Sequence, residues 1–287
     1  MPIRTLSDLN SAYDEGRWHQ QRILKNTSVS HSSQWIDVTF ASGQPAYDPR
    51  IGVSGKFTPC VATGNDAVWF PSIPESQHRH LVGITARLSQ STYIGPASLV
   101  VFDLIGYYPL IDGDSTDEQL FDNSIELPRY KDGETVALVV INHVAPAINA
   151  GVAIIKYIDS KDQEKTATVS IANNGVGTVC SGTSSSASSD VGPVTVSLAN
   201  GTSGIKKILS VQYSVPPGGL HCFYLVRVLT TLVTGDNAVA CEKDMYVANA
   251  TMLPRIFDGA WIGMFERLPP GTARTTTLFG HLTFAWG

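Results

Sequence analysis

Short hydrophobic runs separated by turn residues cover most of the chain. Runs such as "SLVVFDLIGYY" (98–108) and "LHCFYLVRVL" (220–229) are rich in β-branched and aromatic residues, and Gly, Pro, Asn or Asp bound them. Runs of this kind predict strands. Many short strands with turns about every eight to twelve residues are typical of sandwiches and jelly rolls. The pattern therefore predicts an all-β fold.

The N-terminus shows the one clear helical pattern. Thr5 and Asp8 have the spacing of a capping box. Apolar residues at helical spacing share one face: Leu6, Leu9 and Tyr13. Gly16 weakens or ends this helix, "RWHQQRILK" (17–25) predicts a second helical piece, and an extended stretch follows to about residue 45. We therefore expect residues 1–45 to form an N-terminal arm without a counterpart later in the chain, which docks on its own domain or on another subunit.

One heptapeptide occurs almost twice. "LPRYKDG" (127–133) and "LPRIFDG" (253–259) agree at Leu, Pro, Arg, Asp and Gly. Residues 84–104 also align without a gap on 205–225, with matching Leu, Ser, Pro and Phe positions. After each heptapeptide come a strand pattern, a Pro/Gly-rich loop and a second strand pattern, which predict a closing hairpin. A shared order of matches indicates internal duplication, although β-rich sequences can also align through similar composition alone.

The duplication predicts two tandem β-sandwich domains, jelly-roll-like and related by a pseudo-two-fold axis. We place the first repeat at 46–160 and the second at 161–287, because a unit of this size can bury its own core. The run "SGTSSSASSD" (181–190) is typical of a surface loop, and "ANG" (199–201) predicts a tight turn.

The residues that the two heptapeptides share have structural explanations. Leu would fill the core at a strand end, Pro suits an edge or first position, and Asp-Gly makes a tight turn with glycine at positive φ. Arg129 and Arg255 are expected to form ion pairs or to contact a partner. The candidate interface residues of the chain are Leu6, Leu9, Tyr13, Trp18, Arg129 and Arg255.

Composition narrows the classes of function. Only 16% of residues are charged and the net charge is −5, without the basic stripe of a nucleic-acid-binding protein. No apolar run reaches the length of a membrane span, and the N-terminus lacks the apolar region of a secretory signal. The four cysteines have no metal-type spacing and are expected to be free thiols in a reducing cytoplasm.

Candidate chemistry is sparse. The acidic run "DGDSTDEQ" (112–119) departs from the EF-hand pattern, so a solvated loop with Asx turns is favoured over a Ca²⁺ site. His78 and His80 lie two residues apart without the further ligands of a zinc site, which favours a surface or interface pair. No nucleophile elbow, Walker A or dinucleotide motif occurs. We expect no enzyme activity, catalytic residue, cofactor or metal.

The stretch "FDLIGYYPLIDGDSTDEQLFDNSIELPRYKDG", together with the later "LPRIFDGAWIG" and "LTFAWG", resembles structural proteins of tailed bacteriophages over roughly residues 55–287. The resemblance implies a virion component, either a capsid decoration protein or a minor capsid protein, with no catalytic residues to carry over. Its partners would be further copies of itself and the major capsid protein, without nucleic-acid specificity or membrane binding. It would be assembled in the cytoplasm of the bacterial host.

An alternative is a carbohydrate-binding module or a tail or neck adhesin component. Exposed aromatic rings would then stack on sugars, with Trp69, Tyr107, Tyr108 and Trp261 as candidates. The same residues suit core or interface positions, where aromatic side chains contribute the largest buried area. Binding of isolated protein to a glycan array separates the two hypotheses.

Overall fold

A computed structural model shows a predominantly β protein. It describes residues 3–27, 34–45, 51–62, 68, 70–89, 96–147, 151–171, 175–180, 194–235, 239–246, 253–268 and 276–287. About 54% of the chain is strand and 6% is helical, arranged in several antiparallel sheets with a sandwich-like layout. The predicted all-β class with one short N-terminal helix is confirmed.

The elements follow one another from the N-terminal helix to the C-terminal strand. They are α1 (Leu6–Asp14), β1 (Trp18–Thr27), β2 (Trp35–Asp37), β3 (Ser42–Gln44), β4 (Thr58–Pro59), β5 (Arg79–Ser89), β6 (Ser98–Asp112), β7 (Gln119–Leu120), β8 (Ala137–Val144), β9 (Gly151–Asp159), β10 (Glu164–Ile171), β11 (Ile205–Tyr213), β12 (Leu220–Val233), β13 (Cys241–Asp244), β14 (Arg255–Ile256), β15 (Ile262–Arg267) and β16 (Thr276–Trp286), with a 3-10 turn at Val38–Phe40.

Helix α1 forms as its capping residues predict. The Thr5 side chain accepts from the Asp8 N–H, and the Asp8 carboxylate accepts from the Thr5 N–H. The helix ends before Gly16, which has a φ of 70°. The predicted second helical piece at 17–25 is wrong. Those residues belong to β1, because ten residues of β1 pair along β16, and tertiary pairing of this extent outweighs a weak helical pattern.

The strands of the described residues form three sheets. The central sheet has the order β2-β15-β6-β12-β8, with β4 beside β6. The terminal sheet has the order β13-β5-β16-β1-β3, with β14 beside β5, and contains the strands nearest both ends of the chain. The four-stranded sheet has the order β10-β9-β11-β7. Every pairing between these strands is antiparallel.

The long central strands contribute to three cores. Near its start, β6 places Leu99 and Val101 in a core shared with the terminal sheet. Further along, Ile105 and Tyr108 belong to a core shared with the four-stranded sheet. The intervening residues alternate toward a third core, which includes Phe102. Strand β12 divides in the same way between the cores, so the two central strands hold both sandwich layers together.

Residues 175–180 connect the two edges of the central sheet. The Asn142 N–H on β8 donates to Thr178 O at 2.9 Å, and the Cys180 N–H donates to Val140 O at 2.7 Å. On the other side, the Val179 N–H donates to O of Trp35, the first residue of β2, at 2.9 Å. The hydrogen bonding of the central sheet therefore runs around a closed ring, and neither β2 nor β8 is an open edge.

The predicted closing hairpins are wrong, although their strands are correctly placed. Strand β8 pairs with β12 in the central sheet, whereas β9 pairs with β10 and β11 in the four-stranded sheet. Likewise β15 lies in the central sheet and β16 in the terminal sheet. Burial explains the difference. Strand β8 is buried on both faces, while β9 alternates between buried and half-buried positions, as expected for an outer sheet. The Pro/Gly-rich loops carry the chain from one sheet to the other.

The two halves of the chain exchange strands. The last two strands of the first half, β8 and β9, pair with β12 and β11 of the second half. The last two strands of the second half, β15 and β16, pair with β6 and β5 of the first. In this scheme β10 is the counterpart of β1, since β1 pairs with β16, the final strand of the second half, and β10 pairs with β9, the final strand of the first half.

These pairings change the predicted domain organisation. The boundary at 160/161 falls in the turn between β9 and β10, but the ranges 46–160 and 161–287 do not each contain a separate sandwich. The range 1–45 is not a detached arm, because β1, β2 and β3 are strands of the two larger sheets. Its main strand, β1, has a counterpart in the second half after all. The physical reason is that each outer sheet is completed by strands of both halves.

Candidate functional site

The two copies of the repeated heptapeptide meet in space. The Arg129 guanidinium of the first copy donates through Nη1 to Gly259 O of the second copy, at 2.9 Å. The Tyr130 and Phe257 rings pack edge to face, with their centroids 4.9 Å apart. Residues 127–133 and 253–259 therefore form one contact region, which we call the heptapeptide junction.

The predicted burial of the heptapeptide Leu and the predicted positive φ of its Gly are confirmed. Leu127 is buried in the core under the four-stranded sheet, and Leu253 is buried in the core under the terminal sheet. Gly133 and Gly259 have φ values of 73° and 70°, a conformation that glycine adopts without a steric penalty. A Cβ on Gly133 would lie 2.6 Å from the backbone carbon of Ile205, so no other residue fits this corner.

Arg129 forms the most extensive buried polar contact of the junction. Its Nε and Nη2 donate to the two carboxylate oxygens of Asp103, at 3.0 and 2.7 Å. Its remaining N–H groups donate to the carbonyls of Cys60, Leu104 and Gly259. Since a guanidinium has five N–H donors, every donor of Arg129 has an acceptor. The predicted ion pair is present for this arginine, and the side chain is buried rather than available to a partner.

Asp103 lies in the middle of β6, between the residues that serve the two sandwich cores. Its carboxylate also accepts the Trp261 N–H at 3.0 Å. Burial raises the pKa of Asp103, while Arg129 and the Trp261 N–H oppose the rise. The sequence signal for this site is a single acid inside the apolar run "SLVVFDLIGYY". A lone buried acid requires a partner, so the run by itself could have indicated the pair.

Arg255 has a different environment from Arg129. It is exposed, and its guanidinium lies over the Phe257 ring, 4.4 Å from the centroid. In the aligned repeat, Tyr224 occupies the position of Asp103, so the acidic partner is replaced by a phenol. The Tyr224 hydroxyl donates instead to the Asp37 carboxylate at 3.0 Å. Only the first heptapeptide therefore keeps the buried arginine–carboxylate pair.

A cleft of about 520 Å³ lies beside the junction. It is lined by Tyr130, Lys131, Asp132, Glu134, Thr135, Arg227 and Phe257. Each of its two aromatic rings has a guanidinium over one face. Arg227 lies 4.7 Å from the Tyr130 ring centroid, and Arg255 lies over the Phe257 ring. Burial, followed by the nearby Asp103 charge, raises the pKa of Tyr130 to about 12. The cleft therefore carries charges of both signs.

The N-terminal candidate residues separate into buried and exposed sets. Leu9 is buried in the chain's own core. Leu6, Tyr13 and Trp18 are 53%, 39% and 44% exposed. Leu6 and Tyr13 are two helical turns apart on one face of α1, and the Tyr13 and Trp18 ring centroids are 5.7 Å apart. We call Leu6, Tyr13 and Trp18 the N-terminal patch.

A second group of buried polar residues was not anticipated from the sequence. Asn142 Nδ2 donates to the Thr178 hydroxyl at 3.1 Å, and Asn142 Oδ1 lies 3.0 Å from Cys180 Sγ and 3.2 Å from His221 Nδ1. Burial lowers the pKa of His221 to about 4. Although Cys, His and Asn occur together, all three are buried, so no substrate can reach them. The cluster anchors residues 175–180 to the central sheet.

Glu266 is a buried acid without a counter-ion beside it in the ranges that the structure describes. It lies on β15, fully enclosed, and neither carboxylate oxygen makes a hydrogen bond. Burial raises the pKa of Glu266 to about 8, against a small opposing effect of the Thr27 hydroxyl. The carboxyl is therefore protonated at neutral pH, which removes the cost of burying a charge.

Other predicted features are placed as follows. The acidic run is a surface loop in which the Asp112 carboxylate accepts the Asp114 N–H, confirming the Asx turn. His80 is buried against Leu253 O, so it does not form a surface pair with His78. All four cysteines are free, as predicted. Within the described ranges, no three His, Cys, Asp or Glu side chains gather as a metal site.

The aromatic residues considered for sugar stacking do not form a platform. Tyr107, Tyr108 and Trp261 are all buried, and Trp69 lies outside the described residues. A buried ring cannot offer its face to a sugar. No helix within the part of the chain that the structure describes is long and apolar enough to cross a membrane.

No family model and no curated protein matches the chain. Among solved structures, the chain is similar to the Gt strain of infectious bursal disease virus, with 13% identity, a TM-score of 0.21, and coverage of 94% of this chain and 80% of that one. It is also similar to a subviral particle of that virus's VP2, with 10% identity, a TM-score of 0.21, and coverage of 93% and 80%. Likeness at this TM-score carries no argument about function.

Proposed function

We propose that this chain is a structural protein of a virion that acts through contacts between subunits. In its finer form, the proposal is a capsid-associated decoration, cement or minor capsid protein of a tailed bacteriophage. The contacts would join it to further copies of itself and to the major capsid protein. The sequence resemblance to phage structural proteins motivates the finer form.

The N-terminal patch is the observation that carries this proposal. Three large apolar side chains share one surface while the rest of α1 is anchored by Leu9 and Ala12 in the chain's own core. The docked helix presents Leu6 and Tyr13, and the start of β1 presents Trp18. Fixed positions suit an interface because no ordering is needed on binding. Aromatic residues on such a surface are typical interface anchors.

The polar groups of the interior support a structural role. Arg129 and Asp103 satisfy one another and join the two heptapeptides, and the Asn142 cluster is enclosed. These groups hold strands together and face no open pocket. They therefore favour a protein selected for a rigid scaffold over one that binds and transforms a small molecule.

Incorporation into particles tests the proposal. We expect full-length chain, produced in cells that make the phage particles, to be present at a fixed copy number in purified particles by quantitative mass spectrometry. The double variant Leu6→Gln with Trp18→Gln should lower that copy number about tenfold or more, because two anchors of the contact are lost.

Val176→Gln is the matched control, since Val176 is 50% exposed but lies outside the N-terminal patch. It should enter particles at the level of the unmodified chain. Equal thermal melting of all three proteins shows that folding is unaffected. The proposal fails if the unmodified chain is absent from purified particles, and the role of the patch fails if the double variant is incorporated at full occupancy.

A further inference from the structure

Strand β10 is a sheet edge without a neighbour on its outer side. It pairs with β9 over all eight of its residues in unbroken register. The hydrogen bond from the Asp159 N–H to Gln163 O at 2.9 Å sets the alternation along this hairpin. Residues 165, 167, 169 and 171 therefore bond to β9. The backbone groups of Glu164, Thr166, Thr168 and Ser170 point outward.

These outward groups are open to a partner strand. Among the residues that the structure describes, none makes a hydrogen bond to the backbone N–H or C=O of the four outward residues from outside β10. Their side chains are exposed as well. An N–H or C=O at an open edge is a template for strand addition.

Other sheet edges in the described part of the chain are short or covered. Strands β7, β3 and β13 have only two, three and four residues. Strands β2 and β8 are joined by residues 175–180. The counterpart of β10 in the other half, β1, is partly covered by β3, which pairs with residues 24–26. Strand β10 is therefore a long edge strand with one free side. At the equivalent position in the other half, β1 pairs with an additional strand, β3.

The sequence of β10 lacks the usual protection of an exposed edge. "EKTATVSI" contains no proline, and its pairing with β9 shows no bulge. Its charges are confined to the first two residues, Glu164 and Lys165. Proline, bulges and central charges are the devices that normally prevent edge-to-edge pairing.

We propose that β10 pairs with β10 of a second copy of this chain, in antiparallel orientation about a two-fold axis. One register uses all four outward residues. Glu164 lies opposite Ser170 of the second copy, and Thr166 lies opposite Thr168. The two-fold axis repeats each of these pairs, and each pair exchanges two backbone hydrogen bonds. The contact therefore contains about eight hydrogen bonds.

The side chains fit this register. Thr opposite Thr is a favourable cross-strand pair, and no like charges lie opposite each other, since Glu164 faces Ser170. The register is also self-complementary, as a two-fold contact between identical surfaces requires. The four-stranded sheets of two copies become one continuous sheet. The inference deepens the proposed function by naming one contact between copies, and it rests on that function only for its place in a particle.

Self-association of the full chain tests the inference. Sedimentation equilibrium of the unmodified protein should show a dimer. Thr168→Pro removes an outward N–H without touching the bonds to β9, a position where an edge strand tolerates proline. We expect it to weaken dimerisation about tenfold or more, because each copy loses a backbone hydrogen bond. Thr168→Val keeps the N–H and should dimerise like the unmodified chain.

A cross-linking experiment tests the register without relying on the proline variant. Chains carrying Thr166→Cys are mixed with chains carrying Thr168→Cys and oxidised. Opposite residues of paired strands lie within disulfide range, so the mixture should give far more covalent dimer than either variant alone. Thr168→Lys, which places a charge in the pairing surface, serves if Thr168→Pro does not fold.

The outcomes are distinguishable from those of the proposed function. A protein that stays monomeric throughout the concentration range overturns the inference. So does a dimer that Thr168→Pro and Thr168→Lys leave unchanged and that gives no excess of cross-link in the mixture of cysteine variants. Neither result bears on whether the chain is found in purified particles. Conversely, a β10-linked dimer in solution stands even if the chain is absent from particles.

Discussion

Arg129 and Arg255 hold the same position in a repeated heptapeptide and have different environments. Arg129 is enclosed, with an acceptor for each N–H, and links Asp103 on β6 to Gly259 in the second heptapeptide. Arg255 lies at the surface over Phe257. The difference follows from the aligned position on the long central strand, which is Asp103 in one half and Tyr224 in the other.

The two arginines form a matched pair for mutation. Arg129→Met leaves the Asp103 carboxylate buried without its counter-ion and is expected to destabilise the protein by about 3–5 kcal/mol. Arg255→Met removes only an exposed contact with a ring and should cost less than about 1 kcal/mol. Denaturant unfolding of both variants measures the difference. Equal effects would contradict the role assigned to the buried pair.

Glu266 makes stability depend on pH. Because its pKa in the folded state is about 8 and an unfolded glutamate titrates near 4.3, the folded state binds more protons between these values. Unfolding free energy therefore falls as pH rises through this window. We expect Glu266→Gln, which resembles the protonated side chain, to be more stable than the unmodified chain at pH 9, by on the order of 5 kcal/mol.

The stability gap between the two proteins should close as pH falls toward 4.5. Denaturant unfolding at pH 5 and pH 9 measures it, and other titrating groups cancel in the difference because both proteins contain them. A gap that is the same at both pH values would show that Glu266 is ionised or solvated in the folded state.

At the scale of elements, the hydrophobic pattern predicted where most strands lie in the sequence but not which strands pair. The runs that become β5, β6, β8, β9, β11, β12, β15 and β16 are visible in the sequence. The pattern also shows which strands are buried on both faces, since β6 and β8 are nearly continuous apolar runs. It does not show that β8 and β9 part to different sheets, because a Pro/Gly loop serves a hairpin and a crossover equally well.

The candidate interface residues show the same limit. Helical spacing placed Leu6, Leu9 and Tyr13 on one face, and the structure buries Leu9 while leaving Leu6 and Tyr13 exposed. The sequence cannot indicate how deeply a helix sits on a sheet. Asp103 and Glu266 are likewise visible as single acids in apolar runs, but the side chains beside them, Arg129 and Thr27, lie far away in the sequence.

At the scale of the whole molecule, strand exchange makes the halves depend on one another. Residues 18–160 expressed alone lack the strands that complete the terminal and central sheets, and residues 161–287 lack β8 and β9. We expect neither fragment to unfold cooperatively by itself.

A chain cut between the halves tests this dependence. A protease site inserted in the exposed turn at 160–163 should be cleaved without loss of structure, and the two fragments should elute together by size exclusion. The intact chain with the same insertion is the control. Cooperative unfolding of either separate fragment, measured by circular dichroism, would show that the halves are independent domains.

The sequence by itself determined the β class, the N-terminal helix with its cap, most of the strand positions after β1, and the repeated turn. These properties follow from side-chain periodicity and from the φ values that glycine permits, and both act over a few residues. Tertiary structure alone decided which strands pair, which arginine is buried and which edge stays open. Those properties depend on contacts between residues far apart in the chain, where several pairings satisfy the same local pattern and packing selects one.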